Sequence, residues 1–146
     1  MRVAGRIEAS SFDLCRYQRR FRNVEMTPDE AVIAWLIRYG AELALPTVTI
    51  AEIAFRIQKI RPRSTCRTAG ARVGGLAPAF CISGLTEEAA LVYGEIMGAA
   101  ARQGRGMSAP DGMIAAIARV NGGRLATRNL TDFETAGLVL TSPWEF

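Results

Sequence analysis

The chain has 146 residues, a net charge of +4 and 49% hydrophobic residues, which is the composition of one globular domain. It contains no histidine, so catalysis by Ser-His-Asp or Cys-His groups and metal sites built on imidazole are excluded. The three cysteines include no Cys-x-x-Cys pair, and neither a disulfide framework nor a zinc site is expected. No stretch reaches the roughly 20 apolar residues of a membrane helix, and no signal sequence is evident. We therefore expect a cytoplasmic protein without membrane contact.

Apolar periodicity and capping residues predict alternating helices and short strands after residue 26. The predicted helices run from Thr27 to Gly40, from 50 to 60, from Thr86 to about Gln103, and from Ser108 to Gly122. The predicted strands are 43–48, 80–83, 124–127 and 138–140, and a short helical turn surrounds Asp132. Residues 63–78 give no clear pattern.

Short strands that alternate with helices indicate an α/β fold with a small parallel sheet surrounded by helices. Sites in such folds form beyond the carboxyl ends of the strands. Glu52 follows the first predicted strand, and Asp111 opens the most apolar helix. Thr127 and Asn129 lie at and just beyond the end of the strand 124–127. The topology therefore permits these side chains to meet.

The acidic residues also have a purely structural explanation. Thr49 to Glu52 and Ser108 to Asp111 both have the spacing of a capping box, in which an acidic side chain bonds back to the helix cap. Asp132 would similarly cap its own turn. On spacing alone, capping is favoured over metal binding at Glu52 and Asp111.

Two specific motifs lie between Ser108 and Phe146: an aspartate that opens an apolar helix in the pattern D-x-x-I-A-A-x-A, and the later run A-T-R-N-x-x-D-F. Val48–Glu52 and the helix that begins at Pro28 carry weaker signatures. Through these motifs the sequence resembles the VapC/FitB-type PIN domains, the ribonuclease toxins of type II toxin–antitoxin systems. The resemblance implies a PIN-like domain at 27–146, preceded by an atypical segment at 1–26.

The resemblance also implies a metal-dependent endoribonuclease. Glu52, Asp111 and Asp132 would be catalytic acids that hold Mg²⁺ or Mn²⁺, which are hard cations with a preference for oxygen ligands. The metal would activate a water for attack on the RNA phosphodiester. Thr127 and Asn129 would orient the water or the substrate, and Asn129 is an alternative to Asp132 in the last metal position. The implied partners are the RNA substrate, a cognate antitoxin protein and a second copy of the chain in a homodimer.

The family's first metal ligand has no counterpart in this sequence. Family members begin with an apolar strand that ends in Asp-Thr-Asn, whereas Leu14–Asn23 stands at that place here. Residues 15–23 can be encoded as TGT CGA TAC CAA CGT CGT TTC CGA AAC, which reads Val-Asp-Thr-Asn-Val-Val-Ser-Glu from the second base. We interpret roughly residues 1–25 as an out-of-frame translation. The alternative is a divergent N-terminus with another ligand, for which Asp13 is the candidate.

Two functional interpretations follow from the missing aspartate. The first is an active Mg²⁺-dependent endoribonuclease toxin of a toxin–antitoxin pair. The second is a catalytically impaired PIN-fold remnant, without the first strand and its metal aspartate, that retains only antitoxin or nucleic-acid binding. A third interpretation, an unrelated basic nucleic-acid-binding module, leaves the C-terminal motifs unexplained.

Overall fold

A computed structural model of the protein describes residues 29–60 and 81–146. The predictions for the segment 1–26, including its out-of-frame reading, and for 63–78 lie outside the described residues. Helix α1 spans Glu30–Tyr39, and its N-cap is Asp29, whose side chain accepts the Ala31 N–H at 3.0 Å. The helix predicted from Thr27 thus begins later, at Glu30, because an aspartate closer to the apolar run satisfies the first free N–H groups; Thr27 itself lies outside the described residues. A short 3-10 helix, Gly40–Glu42, follows α1.

The first pair of parallel strands is shorter than predicted. β1 (Ala44–Pro46) pairs with β2 (Cys81–Ser83), and Leu45 lies opposite Ile82. β1 ends at Pro46 because proline has no N–H with which to extend the ladder. Helix α2 (Thr47–Ile60) follows at once, so it begins three residues before the predicted start at residue 50.

The hydrophobic core is centred on two packed helices, α3 (Glu87–Arg102) and α4 (Ala109–Val120). The predicted cap of α3 is confirmed, because the hydroxyl of Thr86 accepts the Ala89 N–H at 3.2 Å. α4 is buried along most of its length. The main core cluster is formed by Ala89, Ile96, Ile114, Ala115, Ala116, Ile117, Ala118, Leu125, Phe133 and Ala136.

The C-terminal part contains a second parallel pair, β3 (Arg124–Ala126) and β4 (Val139–Thr141), within one residue of the predicted strands. A 3-10 helix, Thr131–Ala136, connects them and packs against α3 and α4. It ends at Gly137, whose left-handed φ of 66° suits glycine. A final 3-10 helix, Pro143–Glu145, packs against α1.

These elements confirm the predicted α/β class, with helices around small parallel sheets. Within residues 29–60 and 81–146 the strands form two separate parallel pairs, whereas the sequence predicted one sheet. None of the helices described is long and apolar enough to cross a membrane. Trp35, which is 3% exposed, packs with Leu43 and Ala126 and so joins α1 to the end of β3.

Candidate acidic site

Asp111 lies in the first turn of α4 and is held by the residue that caps the helix. The Ser108 hydroxyl accepts the Asp111 N–H at 3.2 Å and donates to Asp111 Oδ2 at 2.6 Å. The predicted Ser108 cap is confirmed, although Asp111 bonds to the hydroxyl of Ser108 and not to its backbone N–H. The position at the positive end of the helix dipole also favours the carboxylate. A carboxylate has about four acceptor sites, so the hydrogen bond from Ser108 leaves acceptor sites on Asp111 for other ligands.

Asp132 is exposed on the 3-10 helix Thr131–Ala136, and a chain of hydrogen bonds links it to the second strand pair. The Asn129 side-chain amide donates to Asp132 Oδ2, and the Asn129 backbone N–H donates to Thr127 Oγ1 at 3.1 Å. Thr127 is fully buried, and its own N–H donates to the Thr141 carbonyl at 3.0 Å. Asp132 does not cap its turn, because Leu130 occupies that position and no side-chain cap is formed.

Glu52 lies in the second turn of α2 and is partly buried. The capping box expected from Thr49 to Glu52 is wrong, because α2 begins at Thr47 and Thr49 lies inside the helix. Thr49 is only 2% exposed, and its hydroxyl has no hydrogen-bond partner among the described residues. Helix capping therefore explains neither Glu52 nor Asp132.

The three acids are carried by elements that meet on α4. Both α2 and the 3-10 helix Thr131–Ala136 pack against α4, which bears Asp111 in its first turn. Phe133, next to Asp132, belongs to the same core cluster as the buried residues of α4, and Val48, in the first turn of α2, packs against that cluster. The three helical elements that bear the acids are thus connected through α4.

The carboxylate donors match the chemistry of a hard divalent cation, since Mg²⁺ and Mn²⁺ prefer oxygen ligands. In the part of the chain that the structure describes, however, no three aspartate, glutamate or cysteine side chains are grouped closely enough to hold a metal ion. The three acids therefore have oxygen donors suited to such a cation, but the described residues alone do not form a complete set of metal ligands.

One charged residue beside these side chains was not predicted from the sequence. Arg128 separates Thr127 from Asn129, is exposed, and lies with its guanidinium carbon 5.7 Å from the ring centroid of Trp144. Its position between Thr127 and Asn129, two candidate site residues, is the feature of the sequence from which a role for Arg128 could have been predicted.

Comparison with known proteins gives the family. The model of the PIN domain matches residues 24–137, which is most of the chain and includes Glu52, Asp111 and Asp132. This chain belongs to the PIN domain family. The PIN-like fold expected from the motifs is thereby confirmed.

Curated relatives place this PIN domain among the VapC/FitB-type toxins. It is 34% identical to the VapC ribonuclease Y4jK of Sinorhizobium fredii over 123 residues, which cover 81% of this chain and 87% of the relative. It is 29% identical to the toxin FitB of Neisseria gonorrhoeae over 121 residues, covering 80% of this chain and 87% of FitB.

Solved structures agree with this assignment. FitAB bound to an IR36 DNA fragment matches with a TM-score of 0.73 and 28% identity, covering 84% of this chain and 88% of the solved chain. DNA-bound VapBC from Salmonella typhimurium matches with a TM-score of 0.74 and covers 94% and 98% of the two chains. At 20% identity, the second likeness supports the fold alone.

Proposed function

We propose that this PIN-domain protein is a metal-dependent endoribonuclease toxin of a toxin–antitoxin pair. The observation that carries the proposal is the placement of Glu52, Asp111 and Asp132 on three elements that meet at α4. Capping accounts for neither Glu52 nor Asp132, so two of these acids lack the structural explanation that their spacing suggested. The ribonuclease activity named for the 34%-identical VapC relative supports the same reaction here.

In the proposed mechanism, Glu52, Asp111 and Asp132 would hold Mg²⁺ or Mn²⁺. A bound cation would supply Lewis-acid activation of both the attacking water and the RNA phosphodiester. Ser108 orients Asp111 through the 2.6 Å hydrogen bond. Because the chain has no histidine, a carboxylate is the group available to accept a proton from the water.

Asn129 and Thr127 support Asp132 in this mechanism. The Asn129 amide fixes the Asp132 carboxylate, and the buried Thr127 hydroxyl fixes the Asn129 backbone. Preorganised ligands lose less free energy when a cation binds, so this chain of contacts favours metal binding. Both residues lie within five positions of Asp132 in the sequence, and we propose that they also orient a water or the substrate.

We infer that an antitoxin protein and a second copy of the chain bind this toxin in the cytoplasm. The 28%-identical relative was solved as FitAB, and FitB carries the name toxin. Three helices present strongly exposed apolar side chains, Ile37 at 81%, Phe55 at 67% and Leu91 at 69%. Each of these side chains offers apolar surface that a bound partner would cover.

The second candidate function is a PIN-fold remnant that binds partners without cleaving RNA. Two observations favour it: the sequence lacks the Asp-Thr-Asn tripeptide, and no group of three metal-binding side chains is found within residues 29–60 and 81–146. Loss of one carboxylate would weaken the binding of a divalent cation, because ligand charge and number set its affinity.

Cleavage of a labelled single-stranded RNA, with Mg²⁺, Mn²⁺ or EDTA, tests the proposal. The proteins are this chain, its Asp111→Asn variant, and a version in which the shifted frame is restored over residues 15–22. Asp111→Asn removes the charge but keeps the size of the side chain, and should reduce cleavage by about a hundredfold or more. Glu95→Gln on α3 is the control, since Glu95 is exposed and lies 4.0 Å from Arg119.

Cation-dependent cleavage by this chain, lost in Asp111→Asn and kept in Glu95→Gln, supports the toxin and excludes the remnant. Cleavage by the restored version alone supports the remnant. If Asp111→Asn leaves cleavage unchanged in every version that cuts RNA, the assignment of the acidic site is refuted.

A further inference from the structure

Arg128 and Trp144 meet at the carboxyl ends of β3 and β4. Arg128 comes two residues after β3 ends, and Trp144 comes three residues after β4 ends. Because β3 and β4 are parallel, both residues lie at the same edge of the pair. Thr127, Asn129 and Asp132 follow the same end of β3, so the arginine lies within four residues of the candidate metal ligand Asp132 in the sequence.

Besides the contact with the Trp144 ring, no hydrogen bond or ion pair of the Arg128 guanidinium is found among the described residues, so its N–H donors are available to a ligand. Its guanidinium carbon is 5.7 Å from the centroid of the Trp144 ring, a cation–π distance. The five N–H donors of a guanidinium lie in its plane, so an aromatic ring on one face does not block them. The indole thus restrains a long side chain and lowers the conformational entropy lost on binding.

Arg128 differs from Arg105 and Arg119, which pair with carboxylates. It shares its type of contact with Arg38, whose guanidinium carbon lies 5.6 Å from the Tyr39 ring centroid, and its place at the carboxyl ends of β3 and β4 sets it apart from Arg38. Arg105 bonds to Glu134 at 2.7 Å, and Arg119 lies 4.0 Å from Glu95. For Arg128, no carboxylate partner is found in the described part of the chain, and its contact is an aromatic face. A restrained, exposed cation without a carboxylate suits an anionic ligand.

We propose that Arg128 is a phosphate-binding residue for single-stranded RNA, held beside the acidic site by Trp144. This inference rests on the proposed ribonuclease function and names the residue that positions the substrate backbone. Arginine binds phosphate oxygens through two parallel N–H groups, which fixes orientation as well as charge.

The aromatic contact of Arg128 favours a single strand over a duplex. Phe146 is 54% exposed and packs edge-on against Tyr39, with ring centroids 6.0 Å apart. It lies two residues beyond Trp144. Arg128 in contact with the partly buried Trp144 ring gives a basic side chain beside an aromatic one, a combination typical of single-stranded nucleic-acid sites, where phosphates bind the cation and unpaired bases stack.

The test is fluorescence anisotropy of a labelled, mixed-sequence single-stranded RNA in EDTA, so that binding is measured without cleavage. Arg128→Ala should weaken binding about tenfold, the loss expected for one charged hydrogen-bonding group. The slope of log Kd against log salt concentration should fall by about 0.7, which corresponds to one single-strand phosphate contact. Arg128→Lys should give a smaller loss, since lysine retains the charge but not the planar fork.

Arg124→Ala is the matched control, because Arg124 is exposed at the opposite end of the same strand. It should change RNA affinity by less than about twofold. Trp144→Phe should keep wild-type affinity, since it keeps an aromatic face and removes an indole N–H that has no partner among the described residues. Trp144→Leu should lose affinity, with folding of both variants checked by thermal unfolding.

The proposal is overturned if the wild-type protein does not bind the RNA, or if the RNA affinity of Arg128→Ala is within about twofold of that of the wild type. It is also overturned if Arg124→Ala loses as much RNA affinity as Arg128→Ala. A fourth contrary result is an oligoglutamate peptide that binds as tightly as RNA and depends on Arg128 in the same way. The last result would assign the residue to an acidic polypeptide. Failure of the proposed ribonuclease function is measured separately: RNA would then bind in EDTA with the predicted dependence on Arg128, but no cation-dependent cleavage would be observed.

Discussion

The side-chain amide of Asn129 donates a hydrogen bond to the carboxylate of Asp132, and the Asn129 backbone is held in turn by the buried hydroxyl of Thr127. Asp132 is exposed, and an exposed carboxylate ordinarily samples several rotamers. The amide contact restricts it, which makes Asn129 a positioning residue for the candidate metal ligand.

Replacing Asn129 by alanine should weaken Mn²⁺ binding about tenfold, as for other residues that orient metal ligands. The measurement is isothermal titration with Mn²⁺, accompanied by thermal unfolding. Asn121→Ala is the matched control, because the Asn121 amide donates to the Ile117 carbonyl at 2.7 Å at the far end of α4. Equal Mn²⁺ affinities of the two variants would contradict a positioning role for Asn129.

Replacing Ser108 by alanine should lower the free energy of unfolding by about 1 kcal/mol, because the first turn of α4 loses its cap. Chemical denaturation measures the change. Ser108→Thr keeps a hydroxyl and should retain most of the stability. Thr86→Ala removes the equivalent cap of α3 and should cost a similar amount. A Ser108→Ala protein as stable as wild type would show that the cap contributes nothing.

Helices α3 and α4 approach each other closely at Gly112, the residue after Asp111. A Cβ at Gly112 would lie 2.6 Å from Met97 Sδ and 2.9 Å from a ring carbon of Tyr93. Gly112→Ala should therefore destabilise the protein by about 1–3 kcal/mol through overpacking. Gly94→Ala, in the exposed part of α3 with no atom within 4 Å of a new Cβ, should instead stabilise it by up to about 1 kcal/mol. Denaturation midpoints that shift in the same direction would contradict this packing.

The out-of-frame interpretation predicts the nucleotide sequence of the gene. Codons for residues 15–22 should read Val-Asp-Thr-Asn-Val-Val-Ser-Glu when translation starts at the second base of the Cys15 codon. Sequencing the DNA tests this directly. Codons that cannot give this reading would leave a divergent N-terminus, with Asp13 as the candidate ligand.

Local features of this fold could be predicted from the sequence, because they depend on neighbouring residues. The caps at Thr86 and Ser108 are determined by one side chain and the N–H groups of the following turn. The boundary at Pro46 was missed by two residues, since the apolar run continues past the proline that ends the ladder.

Non-local features could not be predicted in the same way. Thr49 has the spacing of a cap, and only the start of α2 at Thr47 shows that it is a buried helical residue. The Arg128–Trp144 contact depends on the parallel pairing of β3 with β4, which no local pattern specifies. The resemblance in motifs indicated which acids to consider. The sequence could not indicate that α2 and the 3-10 helix Thr131–Ala136, which bear Glu52 and Asp132, both pack against α4.

The most direct test of the central claim is the affinity of this chain for Mn²⁺, measured by isothermal titration beside Asp111→Asn and Glu95→Gln. A metal site built on Glu52, Asp111 and Asp132 predicts Mn²⁺ binding that Asp111→Asn weakens by at least about tenfold and Glu95→Gln leaves unchanged. Equal Mn²⁺ affinity in all three proteins, or no binding by the wild type, would contradict a metal-dependent active site in this chain.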